Sequence, residues 1–317
     1  MNSLEDVLKK SKRAMLIGIG GGGDIVGTIP TAKLLDIFGV EYIYGGLSWE
    51  RSVFDPIPGP RKLDEIKHVE KLNDSVWYAN ENTVTTTGVR FAESDIAKIY
   101  NTKTILVGIN GGSKKIASDL LDAADKNSAD LIIGIDVGGD AIGFGNEPNL
   151  MSPLADAIML AALNILEDKI PTMLGIFGFG CDGELRQGEL ENSIKTIANE
   201  GGLYGSWGIT KKAYDELETA ISIVPTEASR LPIQYLNGEL QDGTTIRSGR
   251  RTVEISISST VTFYVSPKVV YEKISKPARV VTDCESLEDA NNNLNKIGLK
   301  TELDFEREKY ALLREKD

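Results

Sequence analysis

Ala14-Met15-Leu16-Ile17-Gly18-Ile19-Gly20-Gly21-Gly22-Gly23-Asp24 is the stretch that decides the fold. An apolar run without polar alternation suits a strand buried on both faces. The glycines stop it in a tight turn. Ile25–Phe38 then spaces its apolar residues three and four apart, as a helix does. Working outward, the same unit recurs. Tyr42–Tyr44 runs into Gly45-Gly46, and Thr104–Val107 into Gly108-Ile109-Asn110-Gly111-Gly112. Leu131–Ile135 runs into Asp136-Val137-Gly138-Gly139-Asp140, and Thr172–Phe177 into Gly178-Phe179-Gly180-Cys181-Asp182-Gly183-Glu184. Helical spacing follows in Ile116–Ala124, Pro153–Leu166, Ile194–Ala198 and Ala213–Ile221. Ser152 reads as the N-cap of the second of these, with Pro153 in its first turn. Alternating strand and helix predicts an α/β fold, a doubly wound, mostly parallel Rossmann-like sheet with helices on both faces.

Two regions break the alternation. Ser48 to Glu70 is a connection too long to be idle. Thr244 to Val265 alternates apolar and polar residues, as in Val253-Glu254-Ile255-Ser256-Ile257, which predicts an antiparallel strand near the C-terminus with one wet face. Such a strand at a sheet edge offers a way to form a homo-oligomer. Val280–Val281 reads as a short strand, Leu287–Ile297 as a helix ended by Gly298, and Phe305–Asp317 as a charged helix or tail. No Pro/Ser-rich linker or fixed-period repeat divides the chain. The expectation is one domain over 1–317, with a glycine-rich core at 1–243 and a strand-helix extension at 244–317 packed on it.

Composition narrows the chemistry. The 317 residues hold 32 glycines, one histidine (His68) and two cysteines, with 47 acids against 35 bases and a net charge of −12. A lone histidine excludes two-histidine metal sites, and two cysteines cannot form a four-cysteine zinc site or a disulfide framework. The acid excess argues against nucleic acid as a partner. No apolar run reaches the ~18 residues of a membrane span, and the apolar stretch near the N-terminus is too short for a secretory signal. The reading is a cytoplasmic protein with reduced thiols, no membrane partner and a small-molecule ligand.

The glycine turns carry the candidate site. Gly18-Ile19-Gly20-Gly21-Gly22-Gly23 satisfies GxGxxG after a strand and before a helix, where backbone amides can meet an anion. The acid that a dinucleotide site needs is misplaced: Glu41 opens the second strand, and Glu50 lies beyond Gly45-Gly46. Strand C-termini share one edge in a parallel sheet, so Asp24, Asp136, Asp140, Asp182 and Glu184 should gather there, with Asn110 among them. Gathered carboxylates raise each other's pKa or hold a hard cation, and an all-oxygen set favours Mg²⁺ or Mn²⁺. Asp24, Asp136 and Asp140 are the candidate metal ligands, and Asp136, Asp140 and Asp182 the candidate catalytic groups. Gly20, Gly21, Gly22, Gly23, Asp24, Gly138 and Gly139 would line the ligand. In the overhanging loop Trp49 offers a ring to stack, Glu50 a carboxylate and Arg51 a fork for an anion. Arg247, Arg250 and Arg251 read as a solvated basic turn, and Cys181 as packing.

Gly20-Gly21-Gly22-Gly23-Asp24-Ile25-Val26-Gly27, Gly45-Gly46-Leu47-Ser48-Trp49-Glu50-Arg51, Pro56-Ile57-Pro58-Gly59-Pro60-Arg61, Asp136-Val137-Gly138-Gly139-Asp140 and Ser152-Pro153-Leu154-Ala155-Asp156-Ala157 carry a resemblance. Together with Ser286-Leu287-Glu288-Asp289-Ala290, they make the chain similar to an archaeal and bacterial family, domain of unknown function 1152. The resemblance implies an uncharacterised prokaryotic α/β protein and supplies no activity or catalytic residue. Three readings stay open. The first is an enzyme, a hydrolase or transferase using Mg²⁺, for a small polar metabolite that is phosphorylated or nucleotide-like. The others are a non-catalytic binding or regulatory protein and an NAD(P)-dependent oxidoreductase.

Overall fold

In the computed structural model, which describes residues 3–241 and 243–314, a nine-stranded sheet organises the chain. Its strands are β1 (Arg13–Gly18), β2 (Glu41–Leu47), β3 (Glu70–Lys71), β4 (Val76–Ala79), β5 (Thr104–Val107), β6 (Leu131–Val137), β7 (Thr172–Phe177), β8 (Leu203–Gly208) and β9 (Val261–Val265). They lie in the order β8-β9-β7-β6-β1-β2-β5-β4-β3. The five central strands are parallel to their neighbours. Numbered among themselves they read 3-2-1-4-5, the dinucleotide-fold order, whose direction of winding reverses between β1 and β6. A crevice opens at such a point because the helices after the two strands depart to opposite faces.

The buried strands alternate between two apolar layers. Met15 and Ile17 of β1 pack with α4 (Gly112–Lys126) and α5 (Pro153–Leu166). Ala14 and Leu16 pack on the other face with α1 (Asp24–Gly27), α2 (Ile29–Phe38) and α7 (Lys211–Ile223). Each such aliphatic side chain taken fully from water contributes roughly 1.5–3 kcal/mol. α3 (Ala92–Tyr100) covers β2 and β5 on that second face, and α6 (Gln187–Asn199) follows β7. Two helices close the chain, α8 (Leu287–Lys296) and α9 (Glu302–Arg314). No described helix is long and apolar enough to cross a membrane.

The C-terminal region departs from its predicted pattern. Only Val261–Val265 joins the main sheet, and it lies between β7 and β8 rather than at an edge. Its backbone is paired on both sides within the chain, so it offers no edge to a second copy. Upstream, Thr245–Ile246 and Arg251–Thr252 form a small hairpin instead of continuing a strand. The predicted strand at Val280–Val281 is the end of a helix, Lys276–Val281, started by Ser275, whose side chain accepts the Ala278 amide, and by Pro277. Two β-branched valines are outweighed there by that capping. The predicted helix Ile25–Phe38 is divided at Thr28, whose hydroxyl donates to the Ile25 carbonyl at 2.6 Å. Phe305 falls inside α9, and Asp317 lies outside the described residues.

Candidate functional site

The strand order brings the acids together. Asp24 opens α1 after β1, Asp136 is next to last in β6, and Asp140 starts the turn Asp140–Ile142 that follows. Asp182 and Glu184 follow β7. These three strands are neighbours around the switch point. Gly138 makes the approach close. It has φ +127°, and a Cβ there would sit 2.3 Å from the Asp182 carboxyl carbon. Only glycine lets the loop after β7 lie against the turn after β6.

A carboxylate oxygen from each of Asp136, Asp140 and Asp156 lies within 4.8 Å of the others. Asp136 is 1% exposed and Asp156 3%. Asp136 Oδ2 accepts the Ala141 amide at 3.1 Å, whereas Asp136 Oδ1, Asp156 Oδ1 and Asp182 Oδ2 are buried without a hydrogen-bond partner among the described residues. A buried carboxylate oxygen left bare costs several kcal/mol by order of magnitude, so the group protonates or finds a cation. Burial, then the charges of Asp182 and Asp24, hold Asp136 well above the ordinary carboxylate range. Burial, then Asp156 and Glu184, does the same to Asp140, and burial, then Asp136 and Asp24, to Asp156. Burial pushes Asp24 up to about 6 and Asp182 up to about 7.

A second group, Asp140, Asp182 and Glu184, has the same spacing and a different chemistry. Glu184 Oε2 accepts the amides of Met151 at 2.7 Å and Ser152 at 2.9 Å, and Oε1 accepts from Ser152 Oγ and pairs with Arg251. Burial alone would raise Glu184; Arg251 and those donors outweigh it and hold it below its ordinary value. Its oxygens are engaged, so it serves as an anchor for Arg251 and the 151–152 backbone. Asp136, Asp140 and Asp156 are the set able to take Mg²⁺ or Mn²⁺, in an all-oxygen environment.

Ser152, bonded to Glu184 and 3.5 Å from Asp140 Oδ2, also lines a cavity with about 630 Å³ of empty space including its open mouth. Arg51, Ser152, Arg247, Arg250, Arg251 and Lys309 are among the residues that line it. Among the described residues, no carboxylate lies within 4.0 Å of the Arg51 guanidinium. Asp24, Glu302, Asp156 and Asp140 nonetheless hold it firmly protonated against the effect of burial. Arg247 pairs with Glu227 at 2.8 Å, and burial together with the charges of Arg51 and Arg251 lowers it to about 10. Four guanidinium groups, of Arg51, Arg247, Arg250 and Arg251, thus converge on one opening, against their mutual repulsion. The turn at 247–251 is therefore part of the site, not only a solvated turn. The hairpin folds it back: Val253 N donates to Thr244 O at 3.0 Å, and Arg251 reaches Glu184.

Other sequence candidates lie elsewhere. The glycine loop is filled by the chain itself: Gly20 N donates to Asp24 Oδ2 at 2.9 Å and Gly22 N to Trp49 O at 2.8 Å. A Cβ on Gly21, Gly22 or Gly23 would strike Trp49 O, Arg51 or Thr226. The close approach that these glycines permit is to protein, and the slot where a dinucleotide pyrophosphate would sit is occupied. Trp49 is 3% exposed and its indole donates to Glu306 Oε2 at 2.9 Å, so it presents no face for stacking. Glu50 is buried and accepts the Ala92 amide at 2.7 Å, on the α3 side. Asn110 lies beyond β5, two strands from β1, where its carbonyl accepts the Leu287 amide. Gly139 packs on Leu190. Asp24 borders the set of Asp136, Asp140 and Asp156, but its Oδ2 is fixed by Gly20. Asp156 takes the place that the sequence pattern gave to Asp24 as a ligand. Burial raises the Cys181 thiol well above its ordinary value, which makes it a packing residue.

Two acids escaped the sequence pattern. Asp156 sits in the first turn of α5, where an acid is expected for the helix dipole alone. Glu302, from α9, accepts the amides of Leu154 at 3.1 Å and Ala155 at 2.8 Å, capping α5 from a distance of almost 150 positions. Ser152 makes no side-chain cap, because its hydroxyl goes to Glu184. A clue to Asp156 was present in its standing as the one acid of the apolar run Pro153–Leu166; Glu302 left none.

No curated protein and no solved structure matches the chain. The family model described as "Protein of unknown function (DUF1152)" matches residues 15–310, almost the whole sequence and every element of the site, and the chain belongs to that family.

Proposed function

We propose that the protein is a divalent-cation-dependent enzyme that hydrolyses, or transfers a group from, a small phosphorylated metabolite. The observation that carries this reading is the set of bare, buried oxygens of Asp136 and Asp156 beside Asp140, which Ser152 Oγ, 3.5 Å from Asp140 Oδ2, links to the arginine-lined cavity. Asp136, Asp140 and Asp156 would hold Mg²⁺ or Mn²⁺, which would satisfy those oxygens and supply a Lewis acid. Arg51 would hold the anionic group of the substrate, between the walls that Arg247 and Arg251 make. In the hydrolytic form, water oxygen bonds to phosphorus and its proton passes to Asp24, whose carboxyl at about 6 is largely ionised at neutral pH. The bond from phosphorus to the leaving oxygen breaks, and that oxygen takes a proton from Asp182, whose carboxyl burial raises to about 7 in the cation-free protein. Two carboxyls with such values suit base and acid roles, each worth roughly 10²–10⁴ in rate. Nicotinamide chemistry is disfavoured by the filled glycine loop.

Calorimetric titration of Mn²⁺ into the wild type and Asp136→Asn tests the cation. The expected result is saturable heat in the wild type that is lost in the variant; equal heats would overturn the reading. A thermal-shift screen of nucleotides and sugar phosphates with Mn²⁺, followed by phosphate release, tests turnover. A phosphorylated ligand that stabilises the protein and is never converted would leave a binding protein instead.

A further inference from the structure

We infer that the substrate carries a diphosphate, held at two depths of the same mouth. The inference rests on the proposed phosphorylated substrate and adds its class. The chain has 12 more acids than bases. Yet three of the cations lining this cavity, Arg51, Arg250 and Lys309, have no acidic partner within 4.0 Å among the described residues. They do not form one cluster by chance of sequence: they come from the loop after β2, the 245–252 hairpin and α9. They also occupy different levels. Arg51 is half-buried, with Asp24, Glu302, Asp156 and Asp140 the acids that act on it most.

Arg250 is exposed at the hairpin tip, oriented by Nε donating to the Arg247 carbonyl at 3.1 Å. Lys309 is half-buried and donates to the Ser52 carbonyl at 2.7 Å and to Ser52 Oγ at 3.4 Å, which leaves its third donor for an anion. Glu302 and Glu306 also line the cavity, but each is engaged: Glu302 by Leu154 and Ala155, Glu306 by the Trp49 indole and the Gly59 amide at 2.9 Å each. One phosphoryl group at Arg51 leaves the rim cations unanswered. A second, joined through a bridging oxygen, meets Arg250 and Lys309. Arg251 and Arg247 keep their acids, Glu184 and Glu227, and act as walls.

The test titrates inorganic pyrophosphate and orthophosphate into the full chain, each with and without saturating Mn²⁺. Charge-assisted contacts to two further cations should make pyrophosphate bind at least roughly tenfold more tightly than orthophosphate. In the double variant Arg250→Ala/Lys309→Ala that advantage should vanish while orthophosphate binding stays as in the wild type. Arg51→Met should weaken both anions. Equal affinity of the wild type for the two anions, or equal weakening of both by the rim variant, would overturn the two-depth mouth while leaving the cation reading intact. Rim-dependent pyrophosphate binding in a protein that takes up no Mn²⁺ would uphold the mouth and overturn the cation.

Discussion

The same sheet edge ends in glycines at β2 and β5 on one side and at β1, β6 and β7 on the other, and the two halves use them differently. At β2 a Cβ on Gly45 would meet Ile105, and one on Gly46 would lie 2.0 Å from Glu93. At β5, Gly108 faces the Trp77 ring, and Gly112 faces the Cys284 carbonyl. Backbone approaches side chain or backbone there, and the C-terminal segment closes the edge: Leu287 N donates to Asn110 O at 3.1 Å. At β1, β6 and β7 each glycine turn itself carries an acid, and Gly20 approaches Asp24 and Gly138 approaches Asp182, whereas the Glu93 carboxylate at Gly46 comes from α3. Glycine at a strand end therefore marks close packing; glycine with an acid in its own turn marks the candidate site. The winding order explains the split, since only the second half flanks the switch point.

The largest effect should come from breaking the packing half. Gly112→Ala places a methyl group 2.1 Å from the Cys284 carbonyl oxygen, at φ +74°. Backbone cannot yield as a flexible side chain does, and left-handed geometry adds strain. A loss of about 3 kcal/mol is expected, seen as a fall in Tm of roughly 4–6 °C for a chain of this length. The stabilisation that Mn²⁺ confers on the surviving fold should remain. If Gly112→Ala folded with wild-type Tm but lost its response to Mn²⁺, the division between the halves would be wrong.

On the site half the sign reverses. Asp136→Asn removes a charge from a buried like-charged group and places an amide beside Asp156 and Asp182. Without divalent cations this variant should be more stable than the wild type by about 1 kcal/mol, since like-charge repulsion and an uncompensated buried charge are relieved. Asp156→Asn should behave likewise. Both should lose the Mn²⁺-induced rise in Tm. Denaturant melts with and without a chelator measure it, and a destabilised Asp136→Asn that still responds to Mn²⁺ would make the acid half a structural network.

The contrast between the halves was partly legible in the sequence. Apolar run, glycine and helix spacing are local signals, so the parallel core and the gathering of Asp24, Asp136, Asp140 and Asp182 follow from them. The remaining features depend on partners far along the chain. Trp49 and Arg51 sit two positions apart in one loop, yet Glu306 removes the first from the surface and, among the described residues, no acid pairs with the second. Asp156 looks like a helix-start acid because Ser152 looks like a cap, and only Glu184 shows that the hydroxyl is engaged elsewhere. The alternation at Val253–Ile257 is that of a strand, but pairing of Thr245–Ile246 with Arg251–Thr252 turns the chain and a one-turn 3-10 segment at Ile257–Thr260 precedes β9. Periodicity reports which faces are wet; it does not report which neighbour arrives.

The smallest effect is a pH dependence that both halves share, since burial also raises Glu50, after β2, from 4.5 to about 7. Asp24 rises from an ordinary 3.8 to about 6, Asp182 from 3.8 to about 7, and Glu302 from 4.5 to about 7, each chiefly through burial. A carboxyl whose pKa is raised in the folded state binds more protons folded than unfolded, so stability falls as pH rises between the two values. The cation-free protein should therefore lose stability from about pH 4 to about pH 7, in the window fixed by these shifts. Asp36, Asp304 and Glu184, held below their ordinary values, act in the opposite sense, and their contributions are lost only at lower pH. Urea melts at pH 5 and pH 7.5 in a chelator should differ by about 1 kcal/mol or more, with pH 5 the more stable. Saturating Mn²⁺ stabilises the ionised carboxylates, so it should shrink or reverse the difference, and Asp24→Asn should remove part of it without any cation. Gly112→Ala, on the packing half, should leave the slope unchanged while lowering stability at both pH values. Stability that rises with pH in the chelator would show that the acids are compensated within the chain, and the buried carboxylates would then need no cation.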